Sequence, residues 1–187
     1  MKKMSTICAM SACVGIAGLA VANSTTISLG GIESKDGLGS EINTRILENI
    51  GGGSMLVGIE WDNVVGNGQG GATWGNEMSM ALYDSKDSGI IIQWFPSEGG
   101  STAGGVWGPT TGGSSTYLID NGLEFTAGNG EITFEFFEAY DDLPEATDAI
   151  YDSGTVTIYW ESVTPPIPGL GGMAVLAGAG LLGRRRR

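Results

Sequence analysis

Alternation of apolar and polar residues at every second position is the feature that most constrains the fold of this chain. In residues 131–140 the side chains that share one apolar face are Ile132, Phe134, Phe136 and Tyr140. In residues 155–161 the corresponding set is Val156, Ile158 and Trp160. Successive side chains of an extended strand point to opposite faces, so both segments are predicted to be half-buried β-strands.

Further short segments predict strands in the same way. They are residues 25–29, 55–61, 78–82, 90–95 and 116–119. In the second of these, the predicted apolar face consists of Met55, Val57, Ile59 and Trp61. Residues 90–95 are apolar except for Gln93, which favours a central buried strand, whereas residues 41–50 fit either a strand or a short helix.

Seven or eight short strands separated by glycine-rich loops predict an all-β fold. The expected architecture is an antiparallel two-sheet β-sandwich of the jelly-roll kind, formed by a domain of residues 23–162. This domain resembles the β-sandwiches of the proprotein-convertase accessory domain and of galactose-binding-like modules. The resemblance lies in residues 74–77 ahead of the strand at 78–82, in residues 90–95 and in residues 152–160.

Charge is distributed unevenly along the chain. All 21 acidic residues lie between Glu33 and Glu161. The same region holds only three basic residues, Lys35, Arg45 and Lys86. Three positive and 21 negative charges give the region a net charge of −18. A body this acidic repels phosphates and anionic membranes, which excludes nucleic acid as a partner.

Two residue types are missing from the predicted domain. The chain has no histidine, and its two cysteines, Cys8 and Cys13, both precede residue 23. Their absence excludes a Ser-His-Asp triad, a cysteine nucleophile and the usual zinc sites.

The composition does not exclude catalysis by carboxylates or the binding of metals through oxygen ligands. Asp-Ser-Gly occurs at residues 87–89 and 152–154, as in the paired loops of aspartic proteases, but these residues also favour tight turns, which is the interpretation we adopt. No carboxylate pair typical of a glycosidase stands out. We therefore expect no catalytic residues.

Calcium is the one cofactor that the sequence suggests. Acidic residues crowd the segment between the two best strands, and the candidate ligands are Asp141, Asp142, Asp148 and Asp152. A second polar segment holds Asp62, Asn63 and Asn67. Ca²⁺ takes six to eight oxygen ligands, which such segments supply, but the spacing matches no EF-hand, and we favour a solvated acidic loop with calcium binding as the alternative.

The N-terminus predicts a secretory signal peptide over residues 1–22. Lys2 and Lys3 precede a small, apolar and predicted helical stretch, and Ala20 and Ala22 form an A-x-A cleavage box. We therefore expect signal peptidase to act on this chain.

The C-terminus, residues 163–187, has three parts. A proline-rich spacer is followed by a Gly/Ala/Leu-rich run and by four arginines at positions 184–187. As a helix, the run of about 14 residues is roughly 21 Å long, which is short for a bilayer core. The arginines stay on the cytoplasmic side. Such a segment is suited to transient membrane anchoring.

This tail resembles the PEP-CTERM sorting signals that exosortase-type membrane enzymes recognise. The resemblance lies in Pro166, Ile167, Pro168 and Gly169, the apolar run and the terminal arginines, and it departs from the name-giving motif because Ile167 stands where glutamate is usual. Related tails are catalogued as an ice-binding-protein C-terminal domain, a label that concerns the tail alone. The resemblance implies an exosortase-like partner and a cell-surface or extracellular destination.

Together these features predict an exported, non-enzymatic surface or extracellular-matrix protein. The alternative is a secreted carbohydrate-binding or carbohydrate-acting module, with an extracellular polysaccharide as its partner. Trp74 and Trp107 lie in glycine-rich segments, where exposed rings would favour the alternative. Trp61, Trp94 and Trp160 fall in strand periods and are expected in the core.

Overall fold

A computed structural model describes residues 23–69, 73–84, 89–96, 104–120, 125–140 and 146–162. The strands are β1 Asn23–Ser28, β2 Glu33–Ser34, β3 Thr44–Asn49, β4 Ser54–Gly68, β5 Met78–Tyr83, β6 Gly89–Gln93, β7 Val106–Ser114, β8 Phe125–Ala127, β9 Glu131–Glu138 and β10 Ala149–Glu161. A one-turn helix, α1 Tyr117–Asp120, follows β7. The predicted all-β class is confirmed for these residues.

The strands form two antiparallel sheets. The large sheet has the order β1-β10-β4-β7, with β2 paired to β10 and β8 paired to β4. The small sheet has the order β3-β9-β5-β6. Both sheets contribute to one apolar core, so the predicted two-sheet β-sandwich fits the structure.

The longest alternating segments supply the centre of this core. Fully buried side chains come from β9, β5 and β10, and they are Ile132, Phe134, Phe136, Met78, Met80, Leu82, Val156 and Ile158. Tyr151 is also fully buried, and its hydroxyl accepts a hydrogen bond of 2.7 Å from Trp94 Nε1. A buried tyrosine hydroxyl needs such a partner, because an unpaired polar group in the core is costly.

A β-bulge changes the predicted face of β4. Tyr159 pairs with Gly58, but the next residue, Trp160, pairs with Leu56, so Val57 is the extra residue. An extra residue reverses the alternation beyond it. Leu56 is therefore in the core and Met55 is only half-buried, so the predicted placement of Met55 was wrong, whereas the predicted burial of Val57 and Ile59 is confirmed.

Three other local predictions were wrong. The strand predicted at residues 116–119 is replaced by α1. Tyr140 lies beyond the end of β9 and is 67% exposed. The segment at residues 90–95 forms β6, an edge strand with Ile91 60% exposed, because only β5 pairs with it. The ambiguity at residues 41–50 is resolved as β3.

The second Asp-Ser-Gly triplet is not a tight turn. Residues 152–154 lie inside β10, where the register against β4 shifts twice. Gly154 has a φ of +119°, and an added Cβ would lie 2.6 Å from Val64 Cα, so only glycine fits this close approach of the two strands.

Candidate functional site

Several predicted site residues lie outside the described part of the chain. These are the cleavage-box residues Ala20 and Ala22, the sorting-motif residues Pro166, Ile167, Pro168 and Gly169, and the calcium candidates Asp141 and Asp142. Asp87 and Ser88 of the first Asp-Ser-Gly triplet also lie outside the described residues.

The two described calcium candidates occupy different environments. Asp148 is fully buried just before β10, whereas Asp152 is exposed and accepts a hydrogen bond of 3.3 Å from Asn67 Nδ2. Four positions along an extended strand correspond to about 13 Å. Asp148 and Asp152 are therefore not brought together, and the described residues contain no group of three or more potential metal-ligating acidic side chains.

Calcium binding stays a prediction that thermal unfolding can test. A ligand that binds only the folded state raises the unfolding midpoint. If the acidic segment is a calcium site, millimolar Ca²⁺ will raise the midpoint of the full chain and Mg²⁺ at the same concentration will raise it less, since calcium prefers larger, flexible oxygen sites. An unchanged midpoint in millimolar Ca²⁺ would contradict the prediction.

The two tryptophans of the glycine-rich segments are largely covered. Trp107 lies in β7, is 2% exposed and packs against Phe95 at a ring-centroid distance of 6.3 Å. Trp74 is half-buried. Of the three tryptophans expected in the core, Trp94 is buried. Trp61 and Trp160 are partly buried and pack against the core, so the prediction is confirmed.

A polar pocket lies on the outer face of the large sheet. It has a volume of about 370 Å³, and its lining residues are Glu60, Trp61, Asp62, Thr111, Gly112, Gly113, Thr155 and Thr157. The register explains this set, because Thr157 pairs with Glu60 and Thr155 pairs with Asp62. These side chains alternate with core residues of β4 and β10 and therefore point away from the core.

Hydrogen bonds fix the side chains of the polar pocket. Thr111 Oγ1 donates to Asp62 Oδ1 at 2.9 Å, and Asn63 Nδ2 donates to Asp62 Oδ2 at 2.8 Å. The Tyr159 hydroxyl donates to Glu60 Oε2. This bond, followed by desolvation, raises the pKa of Tyr159 above its ordinary value of 10.0, so the hydroxyl remains a donor at neutral pH.

Two glycines line the β7 side of the polar pocket. Gly113 pairs with Glu60 and has a φ of +76°, and an added Cβ would lie 2.1 Å from the Ile59 carbonyl oxygen. At Gly112 an added Cβ would lie 2.6 Å from the Trp61 ring. Neither position accepts a side chain without a shift of its neighbours, so glycine is required at both.

The outer face of the small sheet holds a buried charge cluster, formed by Glu135 and its four donors. Glu135 Oε1 accepts from the Gly39 N–H at 2.7 Å and from Asn43 Nδ2 at 2.8 Å. Its Oε2 accepts from Arg45 Nε at 3.0 Å and from the Tyr83 hydroxyl at 2.6 Å. Glu135 is fully buried, and all its partners come from other parts of the chain.

The buried charge cluster shifts the titration of its members. Desolvation raises the pKa of Glu135, but the hydrogen bonds from Arg45, Tyr83, Asn43 and the Gly39 N–H together hold it below its ordinary value of 4.5. Desolvation and the bond to Glu135 raise the pKa of Tyr83 to about 12. At neutral pH the Glu135 carboxylate is therefore ionised and accepts all four hydrogen bonds, while Tyr83 keeps its proton. This is the arrangement of a structural ion pair.

Sequence reasoning missed both of these sites. Glu60 and Glu135 each sit at an ordinary polar position of an alternating strand, and nothing local distinguishes them from solvated residues. The one signal available from the sequence was the glycine pair Gly112 and Gly113, because glycines inside a strand often mark a close approach of another group. Gly113, which pairs with Glu60, has a positive φ in the structure. The second polar segment considered for calcium was expected to be a loop. It lies within β4 instead, and its residues are Asp62, Asn63 and Asn67.

Among the described segments, no helix is long and apolar enough to cross a lipid bilayer. No family model matches the chain, and no curated protein matches it either. A solved structure of Tomato aspermy virus is similar at 6% identity and a TM-score of 0.30, over 80% of this chain and 81% of that one. The coat protein of Tobacco streak virus is similar at 8% identity and a TM-score of 0.23, over 84% of this chain and 98% of that one. Scores this low establish no common fold.

Proposed function

We propose that this chain is an exported, non-enzymatic protein of the cell surface or extracellular matrix. Residues 1–22 direct export, residues 23–162 form the external domain, and residues 163–187 anchor it transiently until an exosortase-like enzyme removes the tail. Support comes from the charge distribution, in which all 21 acidic residues lie between the basic, apolar ends.

In this proposal the buried charge cluster has a structural role. A catalytic carboxylate needs access to substrate and a free lone pair for the proton it transfers. Glu135 is fully buried, and each of its two carboxylate oxygens accepts two hydrogen bonds. Its role in this proposal is to hold the segment before β3 against the small sheet.

The strand order supports a jelly-roll form of the sandwich, which we include in the proposal. Without the short β2 and β8, eight strands remain, and they pair first with last, second with seventh, third with sixth and fourth with fifth. This is the pattern of one long hairpin rolled into two sheets. A jelly roll places its loops at the two ends and leaves both outer sheet faces open.

Intact mass of the protein recovered outside the producing cells tests the sorting proposal. We expect a polypeptide that begins at Asn23 and has lost the tail after about Pro168, with any attached glycan adding to this mass. As a matched control, replacement of the four arginines at 184–187 by serine should leave signal-peptide cleavage intact and prevent tail removal. A mature mass that still includes residues 184–187 in the unaltered chain would contradict the proposal.

A further inference from the structure

We propose that the polar pocket binds a neutral sugar residue of an extracellular polysaccharide. This inference goes beyond the proposed function, which requires only export and sorting and assigns no ligand to either outer face. It rests on the dimensions of the pocket, on the fixed geometry of its side chains and on the kind of hydrogen-bonding groups that it presents.

The dimensions fit a single sugar ring. The pocket spans β10, β4 and β7, whose neighbouring strands lie about 4.8 Å apart, and it covers two alternate positions along β4, about 6.8 Å apart. The polar area is therefore about 10 Å by 7 Å, and its volume of about 370 Å³ lies within the range of ligand pockets. On the side toward the sheet edge, β7 presents Gly112 and Gly113, neither of which carries a side chain.

The side chains of the pocket are held in place before any ligand arrives. Tyr159 fixes Glu60, Thr111 fixes Asp62, and Thr26 Oγ1 lies 2.8 Å from Thr157 Oγ1. All are on paired strands rather than on loops. A ligand then binds without the entropic cost of ordering these groups, which is the advantage of a preorganised site.

The hydrogen-bonding groups define the ligand class. An ionised carboxylate has about four acceptor positions and no donor. Glu60 uses one of them in its bond from Tyr159, and Asp62 uses two in its bonds from Thr111 and Asn63, so acceptor positions remain for the hydroxyls of a sugar. The threonine hydroxyls can both donate and accept.

Charge decides between neutral and anionic sugars. No lysine or arginine lines the pocket, and its two carboxylates repel uronates, sulfates and phosphates. The partners that already contact these carboxylates are neutral hydroxyl and amide groups. Neutral polyhydroxylated ligands therefore match the pocket, and their binding should depend little on salt.

Affinity electrophoresis of the purified full chain tests this inference. The gels contain a neutral β-glucan, a neutral galactomannan or, for comparison, anionic polygalacturonate. We expect at least one neutral polysaccharide to retard the protein, with little change at 0.5 M NaCl, and polygalacturonate to retard it less. Asp62→Asn should weaken retention about 10-fold, because it removes a charged acceptor.

Two further variants keep the test decisive. Glu131→Gln changes an exposed carboxylate on the small sheet that also accepts an asparagine amide, and it should retain full binding. Thr157→Val keeps the side-chain size and removes one hydroxyl. If circular dichroism shows that the Asp62 variant is misfolded, retention of the Thr157 variant is compared with that of the unaltered chain instead.

Three results would overturn the inference: no retention by either neutral polysaccharide, stronger retention by polygalacturonate, or equal retention of the folded Asp62 or Thr157 variant and the unaltered chain. None of them affects the masses expected from export and tail removal, so failure here is distinguishable from failure of the proposed function.

Discussion

Glu135→Ala should lower the free energy of unfolding by about 3 kcal/mol. The substitution removes the acceptor of four hydrogen bonds from a site that is fully buried. Arg45 has 33% of its side chain exposed and Gly39 is exposed, so both can turn to water, but the buried Asn43 amide loses one of its two acceptors and keeps only the Gly37 carbonyl oxygen. Urea unfolding followed by tryptophan fluorescence measures this loss.

The matched control for this variant is Glu131→Ala on the same strand. Glu131 is exposed, and its carboxylate accepts from Asn129, so we expect a change within about 0.5 kcal/mol. Losses of equal size in the two variants would show that the buried charge cluster contributes nothing beyond an ordinary surface carboxylate.

The same cluster makes stability depend on pH in a defined direction. The folded-state pKa of Glu135 lies below the ordinary value of 4.5, so the folded state binds this proton less readily than the unfolded state. Its contribution is therefore fully present above about pH 4.5 and is lost as the pH falls through the lowered value. The difference in stability between the unaltered chain and Glu135→Ala should shrink over that acidic range and stay constant from pH 6 to 8.

Gly113→Ala should destabilise the fold by about 3–4 kcal/mol. Gly113 has a φ of +76°, which costs a residue with a Cβ about 1–2 kcal/mol. The new methyl group would also lie 2.1 Å from the Ile59 carbonyl oxygen, so β7 must move away from β4 at the edge of the large sheet. Thermal and urea unfolding of the full chain give the size of the effect.

Gly31→Ala separates the two causes. Gly31 has a similar φ of +86°, but an added Cβ there would have no atom within 4 Å. It should therefore show only the backbone cost of about 1–2 kcal/mol. Equal losses at the two glycines would contradict the close approach of β7 and β4 at Gly113.

Local alternation predicted the strands whose pattern is uninterrupted. The buried faces of β5, β9 and the second half of β10 follow directly from their sequences, because side chains at every second position of a strand must share a face. The same rule misplaced Met55, since it cannot reveal that an extra residue enters the pairing of β4 with β10. It also misjudged Ile91, because its strand has one neighbour instead of two.

The candidate sites were less accessible from sequence than the strands. The polar pocket combines β4, β7 and β10, and the buried charge cluster combines the segment before β3 with β3, β5 and β9. In both, the members are far apart in the chain, so no local spacing marks them as a set. Burial of Glu135 depends on a segment that covers the outer face of the small sheet.

The sequence by itself determined the β class, the main buried faces, the acidic body and the absence of histidine and cysteine chemistry from residues 23–187, because these depend on residue identity and on neighbours one or two positions away. The tertiary structure alone decided which strands lie at the edges, where bulges reverse a face and which carboxylates are buried or grouped. Those outcomes depend on pairing between distant segments, whose free energy is set by the partner strand and not by the local pattern.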